Sequence, residues 1–264
     1  MPAIYAHHSF GKRVFKELSP SLKRIVSRYR KEYASGLQGP DFLFFFNPLQ
    51  SNPHGRLGTA IHDEEASVFL TQAAKILKVT GIDSPEGAYV MGFLCHFMLD
   101  SACHGYVEQM VQEKGQSHTE QETEFDRFML EADGKEALSY PLYRLVDTSQ
   151  ELAETMSLFY KGVSTFAVRK SQERMRGIKR ILAAACPVKR ILMQGILKCI
   201  FGRDGEYVSL VMKGKANEEC LPICEELYMR LQETVPEAAD EIEKFIQAVE
   251  KNQKFSERLD RTFC

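Results

Sequence analysis

Apolar positions along this chain recur mainly at three- and four-residue steps, and the Val/Ile/Thr alternation that marks strands is absent. The pattern predicts helices nearly throughout and an all-α fold. Ser19-Pro20 reads as an N-cap with a first-turn proline, opening a helix to about Tyr33. Residues 36–53 carry two glycines, three prolines and the run Phe42-Leu43-Phe44-Phe45-Phe46 without a lasting period. They read as a loop whose aromatic residues plug into the core. A helix is predicted from about Leu57 to Val79, with His62 near its start. Ser84-Pro85 begins a long apolar helix that ends before Gly115. Ser117-x2-Glu120 has capping-box spacing, so the next helix starts almost on His118 and runs to about Ala132. From Thr148 onward some five more helices are predicted, broken near Gly162, Pro187, Gly202 to Gly205, Gly214 and Pro236. No internal repeat or low-complexity tract interrupts the pattern. Residues 1–135 read as a metal-binding core, and residues 136–264 as a helical part packed on the same domain.

One stretch breaks the apolar pattern in an ordered way. All seven histidines precede residue 119, and His96-x3-Asp100-x3-His104 is followed by His118-x3-Glu122. Each four-residue step returns to the same side of a helix, so two successive helices each present a row of nitrogen and oxygen donors. Asp100 is the informative residue. A carboxylate on a helix buried on most faces costs several kcal/mol unless it is paired or bound to a cation. No Lys or Arg lies between Val79 and Lys114, so no local salt bridge is available. Ligation of a transition metal by His96, Asp100 and His104 removes that cost for all three, and zinc suits this donor set. The competing reading is two core histidines hydrogen-bonded to one aspartate. Asp41 in GLQGPD and His62 in GTAIHDE are less specific, as a turn residue and a surface histidine would look the same. His7 and His8 point in different directions, so at most one joins a site. His54 in SNPHG reads more naturally as a loop histidine.

Composition bounds the rest. At 30.1 kDa, 44% hydrophobic and 27% charged, the chain matches ordinary globular proteins. A net charge of -2 and a pI near 6.4 exclude a global attraction to nucleic acid or acidic membranes. Seven scattered cysteines do not form a disulfide framework, and Cys220 and Cys224 lack a second pair at zinc-finger spacing. No apolar run reaches the ~18 residues of a membrane span, and the first twenty residues lack a signal-peptide core. The expected location is cytoplasmic, with peripheral membrane contact as an option.

Taken in order, the donors are an early histidine, a GxxGPD aspartate and a further histidine, then H-x3-D, another histidine, and H-x3-E. This order resembles the zinc-dependent phospholipase C family, whose relatives include zinc-dependent single-strand nucleases. The likeness covers roughly residues 1–130. It implies a multi-helix domain built around two or three zinc ions. Carried over by position, Asp41, His62, His96 and Asp100 would hold one ion, with Asp100 bridging to another. His104, His118 and Glu122 would hold a second, and His7 would join a third site alongside Asp100. Secreted members begin with a tryptophan that serves the third ion, whereas this chain has no Trp.

The chemistry implied is hydrolysis of a phosphodiester by a zinc-activated water, with Asp41 and Glu122 as candidates to handle the proton. The expected substrate is a phospholipid, cut on the glycerol side of its phosphate. The alternatives are a nuclease or phosphodiesterase acting elsewhere, and a non-catalytic zinc-stabilised binding protein. Nucleic acid is disfavoured by the scarcity of basic residues near the donors. Residues 169–203 carry ten basic residues against the single acid Glu173, interleaved with Ile and Leu. A basic amphipathic segment of this kind can lie on an anionic leaflet or contact nucleic acid, or else pack its apolar face into the core with its charges in water. The acidic segment that follows could pair with it.

Overall fold

Residues 87–100 are buried at every consecutive position, which requires a helix surrounded on all sides. The computed structural model, which describes residues 4–183, 185–202 and 206–263, supplies that surround. It is 76% helical, with eleven α-helices and no strand among the described residues. The central helix is α6, Pro85–Lys114, preceded by α1 (Ile4–Glu17), α2 (Pro20–Arg28), α3 (Arg30–Gly36), α4 (Pro53–Asp63) and α5 (Ala66–Thr80). It is followed by α7 (His118–Ala132), α8 (Gln150–Ser157), α9 (Thr165–Leu182), α10 (Pro187–Phe201) and α11 (Leu221–Lys251). Helices α1, α3, α5 and α11 pack against α6, and α9 packs on a 3-10 turn at Asp41–Phe45.

Local signals set most helix ends. Ser84 accepts from the Gly87 N–H at 3.0 Å and Ser117 from the Glu120 N–H at 3.2 Å, so α6 and α7 begin where the caps were expected. Gly115 ends α6 with φ +79, a conformation that a Cβ would oppose. Of the run expected to plug into the core, Phe42 and Leu43 are buried, whereas Phe44, Phe45 and Phe46 are half-buried.

Three boundaries differ from the sequence reading. The helix expected to reach Tyr33 breaks at Tyr29, whose φ and ψ of -114 and 53 leave the helical region, and α3 restarts at Arg30. The helix expected over 57–79 is two, separated at Glu64 and Glu65, so His62 lies in the last turn of α4 rather than near a helix start. Beyond Thr148 the described residues form four α-helices, because Pro236 lies inside α11 and does not break it. Pro236 sits on the exposed side, along with Gln232, whose carbonyl loses its i+4 donor. Leu231, Val235, Ala238, Ala239 and Ile242 continue the buried face without interruption.

The approach of α3 to α6 depends on two glycines. A Cβ on Gly92 would lie 2.1 Å from the Tyr33 carbonyl oxygen, and one on Gly36 would lie 2.2 Å from the Tyr89 carbonyl oxygen. Backbone therefore rests on backbone, and neither contact can yield by rotating a side chain. We expect Gly92→Ala to cost at least about 1–3 kcal/mol in denaturant unfolding, as overpacking does. Gly105→Ala on the same helix faces open space and should be neutral or gain up to about 1 kcal/mol. Equal effects of the two substitutions would contradict this contact.

Candidate metal centre

Four helical segments converge on the middle of α6. His96, Asp100 and His104 follow one another along a single face of α6, and all three are buried. Across from them α7 presents His118 and Glu122, α1 presents His7, the 3-10 turn presents Asp41 and α4 presents His62. Five imidazoles and three carboxylates thus share one interior region, and all but His118 are buried.

Asp100 is the hub. Its Oδ1 lies 3.1 Å from His7 Nε2 and 3.7 Å from His104 Nε2, and its Oδ2 lies 3.1 Å from His96 Nε2 and 3.9 Å from His62 Nε2. Asp41 Oδ1 lies 3.2 Å from His62 Nε2, and Glu122 Oε1 lies 3.1 Å from His118 Nε2 and 3.9 Å from His104 Nε2. Burial pushes the Asp100 carboxyl up, but His96, His7 and His104 outweigh it and hold the group well below the usual carboxylate range. Asp41 is likewise held at about 2 against burial, with His96 and His62 among the groups that lower it.

These donors fit a metal better than they fit one another. His62 Nδ1 is 2.8 Å from the Gly58 carbonyl, which can only accept, so Nδ1 carries the proton. Burial lowers the His62 pKa but Asp41 and Asp100 raise it above its usual value, and a ring left neutral would aim its Nε2 lone pair at a carboxylate oxygen. Two lone pairs at 3.2 Å require a proton or a cation between them. Orphaned polar atoms recur across the cluster: His62 Nε2, both ring nitrogens of His96, Asp41 Oδ1, Asp100 Oδ2 and Glu122 Oε2 are buried without a hydrogen bond. Three sets have donor atoms within 4.8 Å of one another and could hold an ion: His7/His96/Asp100, Asp41/His62/His96 and His104/His118/Glu122. Nitrogen and carboxylate oxygen donors of this kind suit zinc. The Gly58 carbonyl also fixes the His62 tautomer from outside the cluster.

The surrounding chain fixes each donor. Asp126 accepts from the Tyr5 and Ala6 N–H groups at 3.0 and 2.8 Å, and Asp133 holds Arg13 at 2.9 Å, so α7 grips α1 on both sides of His7. Gly39, at φ +49, lets the GLQGPD loop pass over His96, where a Cβ would come within 2.1 Å of the imidazole. The Tyr160 hydroxyl donates to the Gly39 carbonyl at 3.2 Å and lies 2.6 Å from the Tyr89 hydroxyl. The two glycines of GxxGPD therefore have separate tasks, one against α6 and one against a donor ring.

All eight residues singled out in the sequence are brought together here. His8 and His54 are not: His8 is half-buried against Tyr5, and His54 stacks on Phe46 with ring centroids 4.2 Å apart. Two neighbours were missed. Phe263 places its ring 5.2 Å from that of His62 and 5.9 Å from that of His96, and its N–H donates to the His62 carbonyl at 3.3 Å. Lys179 of α9 is buried, and its ammonium senses Asp126, Glu122 and Asp41. Neither residue belongs to a spaced motif. A lysine among nine other basic residues reads as a solvated charge, and an isolated terminal phenylalanine carries no period. Cys220 and Cys224 are buried thiols, as expected, with Cys220 pushed up to about 12 by burial.

A family model described as zinc dependent phospholipase C matches residues 6–171, from α1 into α9. No curated protein and no solved structure matches.

Cys103 separates ligation from proximity. It lines the same interior space as Asp100 and His104, yet burial pushes its thiol up to about 12, and it belongs to none of the three donor sets. Zinc content measured by plasma mass spectrometry should be unchanged in Cys103→Ser. It should fall in Asp100→Ala, with a loss of thermal stability, and in Gly39→Ala, where the added methyl group displaces His96. Loss of zinc from Cys103→Ser would contradict the assignment.

Proposed function

Because the chain belongs to the zinc-dependent phospholipase C family, we propose that it hydrolyses a phospholipid by a phospholipase C-type reaction at this cluster. The family supports a phosphodiester hydrolase in general; the phospholipid substrate and the residue roles are our reading. The observation that carries the reading is Asp100, buried among His7, His96, His62 and His104 within 3.9 Å, inside the matched region. A carboxylate this close to four imidazoles could serve more than one ion, which an isolated structural site would not require.

We assign Asp41, His62 and His96 to one zinc, His104, His118 and Glu122 to a second, and His7 with Asp100 to a third, Asp100 serving as the bridge. Bound there, zinc polarises the phosphoryl oxygens and lowers the pKa of a coordinated water from 15.7 toward ~7. Asp41 remains ionised and sits beside His62, so it orients the attacking water and accepts its proton. The water oxygen forms the new bond to phosphorus, the bond to the glycerol oxygen breaks, and that oxygen takes the proton. The products are diacylglycerol and a phosphorylated headgroup. Glu122 is the second carboxylate within reach of the cluster and shares the task of positioning. Lys179, buried beside these carboxylates, offsets part of their charge.

Hydrolysis of a chromogenic phosphocholine ester by the full-length protein tests this. Turnover should be abolished by chelator and restored by zinc. Asp41→Asn should lower kcat by about 10²–10⁴, the range for loss of a general base, and the zinc content of the same sample separates lost chemistry from lost metal. Zinc-loaded protein that cleaves single-stranded nucleic acid and no phospholipid would overturn the substrate assignment.

A further inference from the structure

Helix α10 packs unlike the other long helices described. None of its residues is buried; Met193 and Leu197 are half-buried, and most of the other aliphatic side chains face outward. Val188 is 74% exposed, Ile191 71%, Leu192 61% and Ile200 63%. At 100° per residue these residues and Ile196 fall on one arc of about 180°, with Lys189 at one rim and Lys198 at the other. The opposite side rests on the 3-10 turn Glu206–Leu210, where the Phe201 and Tyr207 rings lie 4.7 Å apart. Lys189 Nζ donates to the Ala183 carbonyl at 2.6 Å, which ties the start of α10 to the end of α9. The orientation is thus held from both ends, and the apolar arc is what it presents.

This corrects half of the reading that residues 169–203 pack their apolar face into the core. Helix α9 does so, through Ala167, Val168 and Met175, but α10 does not. Arg203 lies outside the described residues. In the acidic segment, Glu226 and Asp240 pair along their own helix with Arg230 and Lys244.

Position adds a second observation. The residues that flank α10 wall a groove: Leu182 and Ala183 on one side, Leu210 and Met212 on the other. Its polar end holds Asp126 and Lys179, and Asp126 lies one turn beyond Glu122 on α7. The segments on either side of α10 in sequence thus share one pocket with Lys179.

We propose that α10 is an interfacial helix that seats the protein on an anionic phospholipid surface, with the adjoining groove turned toward the bilayer. An aliphatic face between basic rims, with no acid anywhere from Arg174 to Arg203, complements acyl chains below and phosphates beside them. A helix of 15 residues, about 22 Å long, can lie flat in a headgroup layer and is too short to cross the ~30 Å hydrocarbon core. That the lipid reached this way is also the substrate rests on the hydrolase reading above; the docking does not.

Co-sedimentation of the full-length protein with vesicles tests the docking, using phosphatidylcholine alone and phosphatidylcholine with phosphatidylglycerol. The wild type should bind the mixed vesicles, and Ile191→Glu/Ile196→Glu should bind at least about tenfold less, since each charge opposes entry into the headgroup layer. The melting temperature should be unchanged, because both side chains face solvent. Hydrolysis of vesicle lipid relative to a water-soluble ester should fall by a similar factor. Wild-type binding without turnover on either substrate would retain the docking and remove the hydrolase reading. Absence of wild-type binding, or equal binding by the double variant, would overturn the docking. So would a wild-type oligomer that the double variant breaks into monomers, which would assign the face to a second copy of this chain.

Discussion

Everything in this molecule is arranged around negative charge buried in a helical core. Asp41, Asp100 and Glu122 are placed where water cannot solvate them, and the groups nearest to them are imidazoles. An imidazole is neutral near pH 7 unless it gains a proton, and at least one here, His62, already commits its Nδ1 proton to a backbone carbonyl. Divalent cations balance the charge and bond to both donor types at once. Cation binding and folding are coupled for that reason: the interior is self-consistent only when its charges are matched.

The scaffold serves this requirement at several distances. The contact of Gly36 with Gly92 sets α3 on α6 and so places the turn that carries Asp41. Asp126 and Asp133 fasten α1 to α7, fixing His7 over His96 with ring centroids 4.5 Å apart. From the far end of the chain, Phe263 closes the apolar wall behind His62 and His96. Residues beyond 171, outside the family match, therefore complete a site that the matched region begins.

How much of this could be read in advance depended on the range of each interaction. Caps and periodic donors are local, so Ser84, Ser117 and the rows on α6 and α7 were legible, and with them the all-α fold, whereas His7, Asp41 and His62 entered the donor set only through the family resemblance. His62 was misplaced on its helix, because the break at Glu64 and Glu65 carries no glycine or proline. Pro236 misled in the opposite direction: α11 continues through it despite the lost hydrogen bond, because its buried face runs on without interruption. Lys179 and Phe263 act across about 60 to 200 residues of sequence, and no spacing rule reaches them. The same limit hid the different packing of α9, which buries an apolar face, and α10, which buries no residue.

The most direct test of the central claim is an anomalous difference map recorded on either side of the zinc absorption edge, from crystals of untagged protein. The account expects peaks at two or three positions, each about 2.0–2.2 Å from nitrogen or carboxylate oxygen donors, with Asp100 shared between two of them. A well-ordered protein with no peak at these positions, its histidines hydrogen-bonded directly to Asp41, Asp100 and Glu122, would contradict it.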